Sequence, residues 1–538
     1  MLTAAALAGC TKAASPPGSG GGERHNGTTI AHVLRIGDTA DVTTLNPALS
    51  ATLSLHNIAQ MTLAWLVRYD AHNRPMPELA LAVPTEANGG ISRDGRSITW
   101  HLRRGVRWAD GVPFNADDVV FSTHAILNRA NNVVTRDGWN LIDRVDEPDK
   151  FTVVYHLKRR FASFLPTFFG SAGANPCLLP RHLLGTYANI NNVAYNALPV
   201  GIGPFKITRW VRGDRVEMVP NPRYWRGTPK LQKVVYKFLP DLNTTLTQLK
   251  TGEIDLWPFL SSGYYDRVRE IKTLRTVRQP GFIYQHMDFN VTRPALRELA
   301  VRQALEMALN RPLLRHVVNH DTGTVQEGIE PSVTPWYDPS LRLVPFDLAA
   351  ANRKLDAAGW KRGSDGVRAK NGVRLELEFA AYTGNVTLDT IVELIRGWWT
   401  PIGVGINVHR YSYPLLLAPL QDGGILYSGK FDVTVILWQL TPTGDLSNLL
   451  ECAQIPPNGQ NLMRYCDAET DRALEAVKGA YDERVRARYV QAVQRSVAHN
   501  VPTIVIFLRD NINTYNTDLR NWHPNQLTLF DDMLNVDI

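Results

Sequence analysis

The sequence predicts an α/β protein of two or more lobes, and three observations lead there. Its 538 residues exceed the roughly 250 to 300 at which a single hydrophobic core stops growing. Hydrophobic residues make up 44% and charged residues 20%, which suits several packed cores and excludes a disordered chain. Segments alternating apolar and polar residues are interspersed with segments at helical spacing, without an internal repeat of solenoid or propeller period. The 39 Gly and 33 Pro are dispersed and only four Cys occur, so collagen and small disulfide frameworks are excluded too. Lys and Arg number 58 against 51 Asp and Glu. With no run of five basic residues, no nucleic-acid partner is expected.

Taken in order, residues 2–8 are small and apolar and run into Leu7-Ala8-Gly9-Cys10, after which the chain turns to Lys, Ser, Pro and Gly. This order resembles a bacterial lipoprotein signal, with 1–9 removed and Cys10 carrying the lipid. The apolar stretch is short and no Lys or Arg precedes it, as expected if the start codon is placed too late. Residues 10–29 then form a flexible tether. No later segment approaches the roughly 18 consecutive apolar residues of a membrane span, so the lipid is the expected membrane contact.

Strands are expected at 98–103, 151–157, 233–239 and 373–379, where apolar residues alternate. Helices are expected at 117–130, with Asp117 as its cap, and at 296–309. A shorter helix begins beyond Asn310, with Pro312 in its first turn. Asp347 and Gly359 bound another helix, and 467–478 with 482–499 form an antiparallel pair.

Catalytic motifs are absent: no Gly-x-Ser-x-Gly elbow, phosphate loop, Gly-x-Gly-x-x-Gly or His-Glu-x-x-His. No enzyme activity and no cofactor are expected. His316 and His320 would share a helix face, but no third ligand follows at metal-site spacing, so no metal is expected. Cys452 and Cys466 enclose a loop rich in Pro, Asn and Gly, which in an exported chain suggests a disulfide; two buried free thiols are the alternative. Cys177 has no evident partner.

From residue 34 onward a series of motifs appears: Leu34-Arg-Ile-Gly37, Leu45-Asn-Pro47, Pro77-Glu-Leu-Ala80, Ser92-Arg-Asp-Gly95, Arg104-Gly-Val-Arg-Trp-Ala-Asp-Gly111, Pro113-Phe-Asn-Ala-Asp-Asp-Val119, Gly201-Ile-Gly-Pro-Phe205, Asn221-Pro-Arg-Tyr-Trp225, Gly252-Glu-Ile-Asp255, Val301-Arg-Gln-Ala304 and Leu355-Asp-Ala-Ala-Gly-Trp360. In this order they resemble the family 5 solute-binding proteins of ABC importers, which include dipeptide-, oligopeptide- and nickel-binding proteins.

The resemblance implies a two-lobed periplasmic-binding-protein-like fold (type II, cluster C) with an additional α/β domain. By position, lobe I comprises 30–75, 199–287 and 505–538, the extra domain 76–198 and lobe II 288–504, with hinges near 287–290 and 502–507. It also implies a monomer that closes around a solute and delivers it to ABC permease and ATPase subunits.

In peptide-binding members a second-lobe Trp is followed three residues later by an Asp that pairs with the peptide's amino group. Trp438 matches the Trp, but the third residue beyond it is Thr441, and a hydroxyl does not replace a carboxylate beside a desolvated ammonium. Asp445 either takes that role or caps the helix after it; otherwise the ligand lacks a free α-amine, as a sugar, blocked peptide or metal chelate does. Family position adds Ser50, Thr52, Trp257 and His286 as ligand contacts. Each also has a bland reading: loop hydroxyls, a core Trp, a structural His. The same fold could also serve a secreted enzyme or a sensory receptor.

Overall fold

A computed structural model describes residues 27–172 and 176–538; the expected segment 1–9, Cys10 and most of the tether lie outside them. Its spine is a ten-stranded sheet made of β1 (Val33–Asp38), β2 (Phe205–Val211), β3 (Arg215–Pro220), β4 (Lys233–Phe238), β5 (Leu256–Trp257), β6 (Leu274–Phe289), β7 (Glu376–Tyr382), β8 (Gly405–Tyr411), β9 (Val433–Gln439) and β10 (Thr503–Asn516). Their spatial order is β8-β7-β9-β6-β10-β5-β1-β4-β3-β2.

The long antiparallel pair β6 and β10 joins two halves. At one end, Leu274 faces Asn516 and β10 pairs with β5 through Tyr515 and Thr514; at the other, Asp288 faces Thr503 and β9 pairs with Ile283–Phe289. Each half has its own core. Leu34, Ile36, Val234, Tyr236, Phe530 and Val536 pack together in the first, and Phe289, Leu305, Phe379, Ile395, Trp399 and Ile506 in the second. A third core, containing Trp65, Trp100, Trp108, Trp139, Tyr155 and Phe168, belongs to an additional α/β unit. Its sheet sets Thr152–Leu157 between Ser97–His101 and Ile142–Asp149. Helix Leu53–Thr62 packs on both neighbours, with Leu55, Ile58 and Met61 in the first core and Ala59 in the third. The fold is thus α/β, two-lobed, with an additional domain.

The motifs of the sequence have local causes. Arg35 on β1 donates from Nε and Nη2 to the fully buried Asp255 carboxylate, at 2.9 and 2.6 Å, a bidentate pair that ties the Gly252–Asp255 turn to the first strand. Gly252 has φ 72°, the left-handed end of helix Leu242–Thr251. Asn310, Asp347, Asp467 and Asp482 cap their helices by accepting from the backbone N–H three residues on.

Several elements differ from expectation. Helix Ala116–Leu127 is capped by Asn115, not Asp117: Asn115 accepts from backbone N–H groups of the first turn, and the Asp118 carboxylate reaches back to the Asn115 N–H at 3.2 Å. Two residue types able to cap stand in sequence, and the one that leaves Asp118 at the third helical position completes the reciprocal box. Helix 296–309 is shorter, Leu299–Met307. The strand expected at 373–379 is split at Leu375 into Val373–Arg374, in a small sheet of its own, and β7. His320 sits at φ 49°, outside helix Arg311–Asn319, so it does not share a helix face with His316, whose Nδ1 lies 2.7 Å from Asp321 Oδ2. Cys452 and Cys466 are bonded, with Cα atoms 4.6 Å apart, and Cys177 is a buried free thiol that burial pushes up to about 12.

Candidate functional site

A cleft of about 760 Å³ opens between the additional domain and the second half of the molecule, within the size range of small-ligand sites. One wall is the end of β9 and the turn after it, with Trp438, Thr441 and Asp445; the other is the loop region around Asp137–Leu141 and Arg159–Thr167 of the additional domain.

The first wall is held from behind. The Leu440 N–H donates to the Phe282 carbonyl at 2.8 Å, and the Trp336 indole N–H donates to the Pro442 carbonyl at 3.0 Å. Gly444 has φ 69°, and a Cβ there would meet the Trp336 ring at 2.9 Å, so only Gly allows the turn to lie on that indole. Beyond it, the Cys452–Cys466 loop is filled by the buried Asn461 side chain, which donates to the Glu451 and Tyr465 carbonyls.

Asp445 is half-buried. Its Oδ1 accepts from the Ser447 N–H at 3.0 Å, ahead of the short helix Ser447–Leu450, while Oδ2 makes no hydrogen bond or ion pair among the described residues. The N-cap of that helix is Leu446, so Asp445 makes a local turn bond rather than a side-chain cap, and its other carboxylate oxygen stays open. Thr441 is exposed and its hydroxyl is 2.8 Å from that of Thr443.

The basic side chains of the cleft already have partners. Lys478 is paired with Glu451 and Glu475, Arg160 donates to the Gly479 carbonyl and to Glu86, each at 2.9 Å, and Arg159 lies 3.8 Å from Glu475. Behind Asp445 lies Glu330, fully buried, with neither carboxyl oxygen hydrogen-bonded among the described residues. Burial, helped by the negative charge of Asp445, pushes its carboxyl up to about 8. Glu330 is thus largely protonated at pH 7.

The walls meet at one end. The Ala162 N–H donates to the Lys478 carbonyl at 2.8 Å, Arg486 returns a bond to the Ala162 carbonyl at 2.7 Å, and the Tyr481 hydroxyl accepts from the Phe161 N–H while donating to the Gly95 carbonyl at 2.8 Å.

Of the residues named from sequence, Trp438, Thr441 and Asp445 come together in this cleft. The other four do not line it. Trp257 is buried in the first half, edge-on to Tyr264. His286 is buried on β6, stacked on Tyr284 with Nδ1 2.8 Å from Asp288. Ser50 is half-buried and Thr52 exposed, immediately before helix Leu53–Thr62. The wall of the additional domain was missed. The Lys158-Arg-Arg-Phe161 loop after an expected strand was visible, but nothing local placed it opposite Trp438.

Residues 74–456 match the family model described as bacterial extracellular solute-binding proteins, family 5. The chain belongs to this family. Among curated relatives, the oligopeptide-binding protein AppA of Bacillus subtilis is 24% identical over 513 residues, covering 94% of this chain and 90% of its own. The solved structure of AppA from Bacillus subtilis in complex with a nonapeptide matches the family 5 protein with a TM-score of 0.72 at 23% identity, over 92% of this chain and 97% of that one. NikZ from Campylobacter jejuni in complex with Ni(L-His) matches with a TM-score of 0.73 at 25% identity, over 93% and 98%. An extracellular family implies export, and among the described residues no helix is long and apolar enough to cross a membrane. No cluster of three or more metal-ligating side chains occurs among them either.

Proposed function

We propose that this chain is the extracytoplasmic solute-binding component of an ABC importer, capturing a peptide-like solute between its lobes and presenting the closed form to permease and ATPase subunits. The observation that carries it is Asp445 Oδ2, without a hydrogen-bond partner among the described residues, in a cleft of about 760 Å³ that Trp438 also lines. A half-buried carboxylate with a free acceptor suits an ammonium group, and an indole face suits a peptide plane or a side chain. Asp445 thereby takes the role that Thr441 does not fill. The lobes are the three-part first lobe, the extra domain and the second lobe divided near 76, 199, 288 and 505, and binding favours the closed form because only there do both walls touch the solute. The protein acts as a monomer without cofactor and catalyses no reaction. Cys10 carries a lipid that tethers it to the outer face of a bacterial membrane; Cys10→Ala should release it into the medium.

One observation favours a second reading. At Thr441 the expected carboxylate is missing, which fits a ligand without a free α-amine: a sugar, a blocked peptide or a metal chelate such as the one NikZ carries. Native mass spectrometry of protein purified without unfolding separates the two. Peptides with free N-termini retained in the cleft support the first reading; a sugar or chelate supports the second. Recognition of the apo form by a sensor kinase would instead indicate a receptor.

A further inference from the structure

The dipeptide Asn-Gly occurs four times, at Asn26, Asn88, Asn371 and Asn458, and Asn26 lies outside the described residues. It carries a chemistry of its own. The backbone nitrogen of the Gly, unshielded by a side chain, can attack the carbonyl carbon of the preceding side-chain amide when both groups are free to approach. The described pairs differ in that freedom.

Asn88 is locked. Its Oδ1 accepts from the Thr85 N–H at 2.9 Å and the Gly90 N–H at 3.0 Å, its Nδ2 donates to the Val83 carbonyl at 2.9 Å, and the Gly89 N–H donates to the Glu86 carbonyl at 3.3 Å. Asn371 and Gly372 are the central residues of the hairpin joining Arg368–Lys370 to Val373–Arg374, with φ 50° and 79°. A two-residue hairpin selects this left-handed pair, and closing a ring onto the Asn side chain would require the Asn to leave it.

Asn458 has neither restraint. It is exposed, its side chain makes no hydrogen bond, and the Gly459 N–H is unpaired, both among the described residues. The chain on either side is held, since the Asn458 N–H donates to the Ile455 carbonyl and the Gln460 N–H to the Asn448 carbonyl, each at 3.2 Å. Gly459 is fixed by packing: a Cβ there would lie 2.8 Å from the Gln454 carbonyl oxygen. The loop therefore demands, directly after Asn458, the residue that leaves the attacking nitrogen most accessible. Asn458 also lines the cleft, together with Asp445, Asn448 and Lys478.

We propose that Asn458 is a self-modification site in the cleft wall, where the side-chain amide is exchanged for a carboxylate. The Gly459 nitrogen bonds to Asn458 Cγ and closes a cyclic imide; the Cγ–Nδ2 bond breaks, and Nδ2 leaves as ammonia with the proton that Gly459 gives up. Water then opens the imide. Addition at Cγ gives aspartate, and addition at the main-chain carbonyl gives isoaspartate, with the backbone rerouted through the side chain. Nothing is oxidised or reduced, and either product places a negative charge where the cleft had a neutral amide. Sharing the cleft with Asp445, that charge raises its attraction for cationic solutes. This consequence rests on the reading of the cleft as the solute site; the chemistry does not.

The test incubates the freshly purified full chain at neutral and at mildly alkaline pH and follows each Asn-Gly by peptide mapping with mass spectrometry. Asn458 should become the acid at least about tenfold faster than Asn88, whose release means breaking three side-chain hydrogen bonds. The rate should rise with pH, because the attacking nitrogen must shed its proton. An acidic band should grow in native isoelectric focusing of the wild type and be reduced in Asn458→Gln, whose longer side chain closes the larger ring far more slowly. Retention of the Asn458 amide, or equal rates at Asn88, Asn371 and Asn458, would overturn the proposal. Asn458→Asp reproduces the charge and should bind trilysine about threefold more tightly than the fresh wild type, with trialanine unchanged. Equal trilysine affinity would overturn the consequence for the solute. If neither tripeptide binds either protein, the peptide reading of the cleft fails, and the mass comparison still decides the modification.

Discussion

Tyr481 and Gly95 are joined, where the cleft walls meet, by a 2.8 Å hydrogen bond from the phenol to the carbonyl, in a residue pair 386 positions apart. The same phenol oxygen accepts from the Phe161 N–H, and its ring packs on Phe164 and under the Arg160 guanidinium. This contact fastens the helix-pair end of the second lobe to the additional domain.

Tyr481→Phe keeps the ring and removes the two hydrogen bonds, leaving a backbone donor and an acceptor unpaired, at a cost of about 1 to 3 kcal/mol to the closed arrangement. Ligand affinity should fall by about five- to about 150-fold with the melting temperature of the ligand-free protein nearly unchanged. Small-angle scattering should show a larger radius of gyration in the variant. Equal affinity and equal radius would show that this contact does not hold the lobes.

Glu330 gives stability a pH dependence of definite sign. Its carboxyl titrates near 8 in the folded protein against 4.5 without burial, so the folded state holds a proton that the unfolded state has released. Its contribution is fully present below pH of about 4.5 and is lost as pH rises through about 8. Glu330→Gln removes that loss, so the variant should gain on the wild type between pH 5 and pH 8, by up to a few kcal/mol. Chemical unfolding at the two pH values measures the difference. A constant offset between variant and wild type would contradict a buried, proton-carrying Glu330.

The Asn115 cap and the Asp117 alternative are separable by mutation. Asn115→Ala should destabilise the additional domain by about 1 kcal/mol, whereas Asp117→Ala should cost about half that or less, through the helix dipole alone. Thermal unfolding of both variants reads the comparison directly.

Opening the Cys452–Cys466 bond frees a loop with a sequence separation of 14 that supports the cleft turn. On the loop-entropy account the loss is about 3 kcal/mol. Cys452→Ser with Cys466→Ser should lower the melting temperature and weaken solute binding. In the wild type, a reducing agent should produce the same shift, with none in the double variant.

What was legible in the sequence follows from how local its cause is. Caps such as Asp347 and Asp482 act on backbone three residues away, so chemistry and position coincide. Alternation over 151–157 and 233–239 marks strands whose faces are buried by any partner. Asp117 was expected in place of Asn115 because both residue types can cap and only Ala116 separates them. The split at Leu375 was invisible, because Val373–Arg374 pairs with residues 369–370 just before it while β7 pairs with the later strands β8 and β9. At the cleft, Trp438, Thr441 and Asp445 were readable because one continuous segment carries them. The facing wall from Asp137 to Thr167 was not, because only the meeting of domains puts it there.

The measurement that tests the central claim most directly is calorimetric titration of the solute recovered from the natively purified protein against wild type and Asp445→Asn. If Asp445 anchors a cationic group of the solute in this cleft, the near-isosteric amide should weaken binding by at least tenfold, about 1.4 kcal/mol, with the fold intact. Unchanged affinity in Asp445→Asn, for a solute that the wild type binds stoichiometrically, would contradict it.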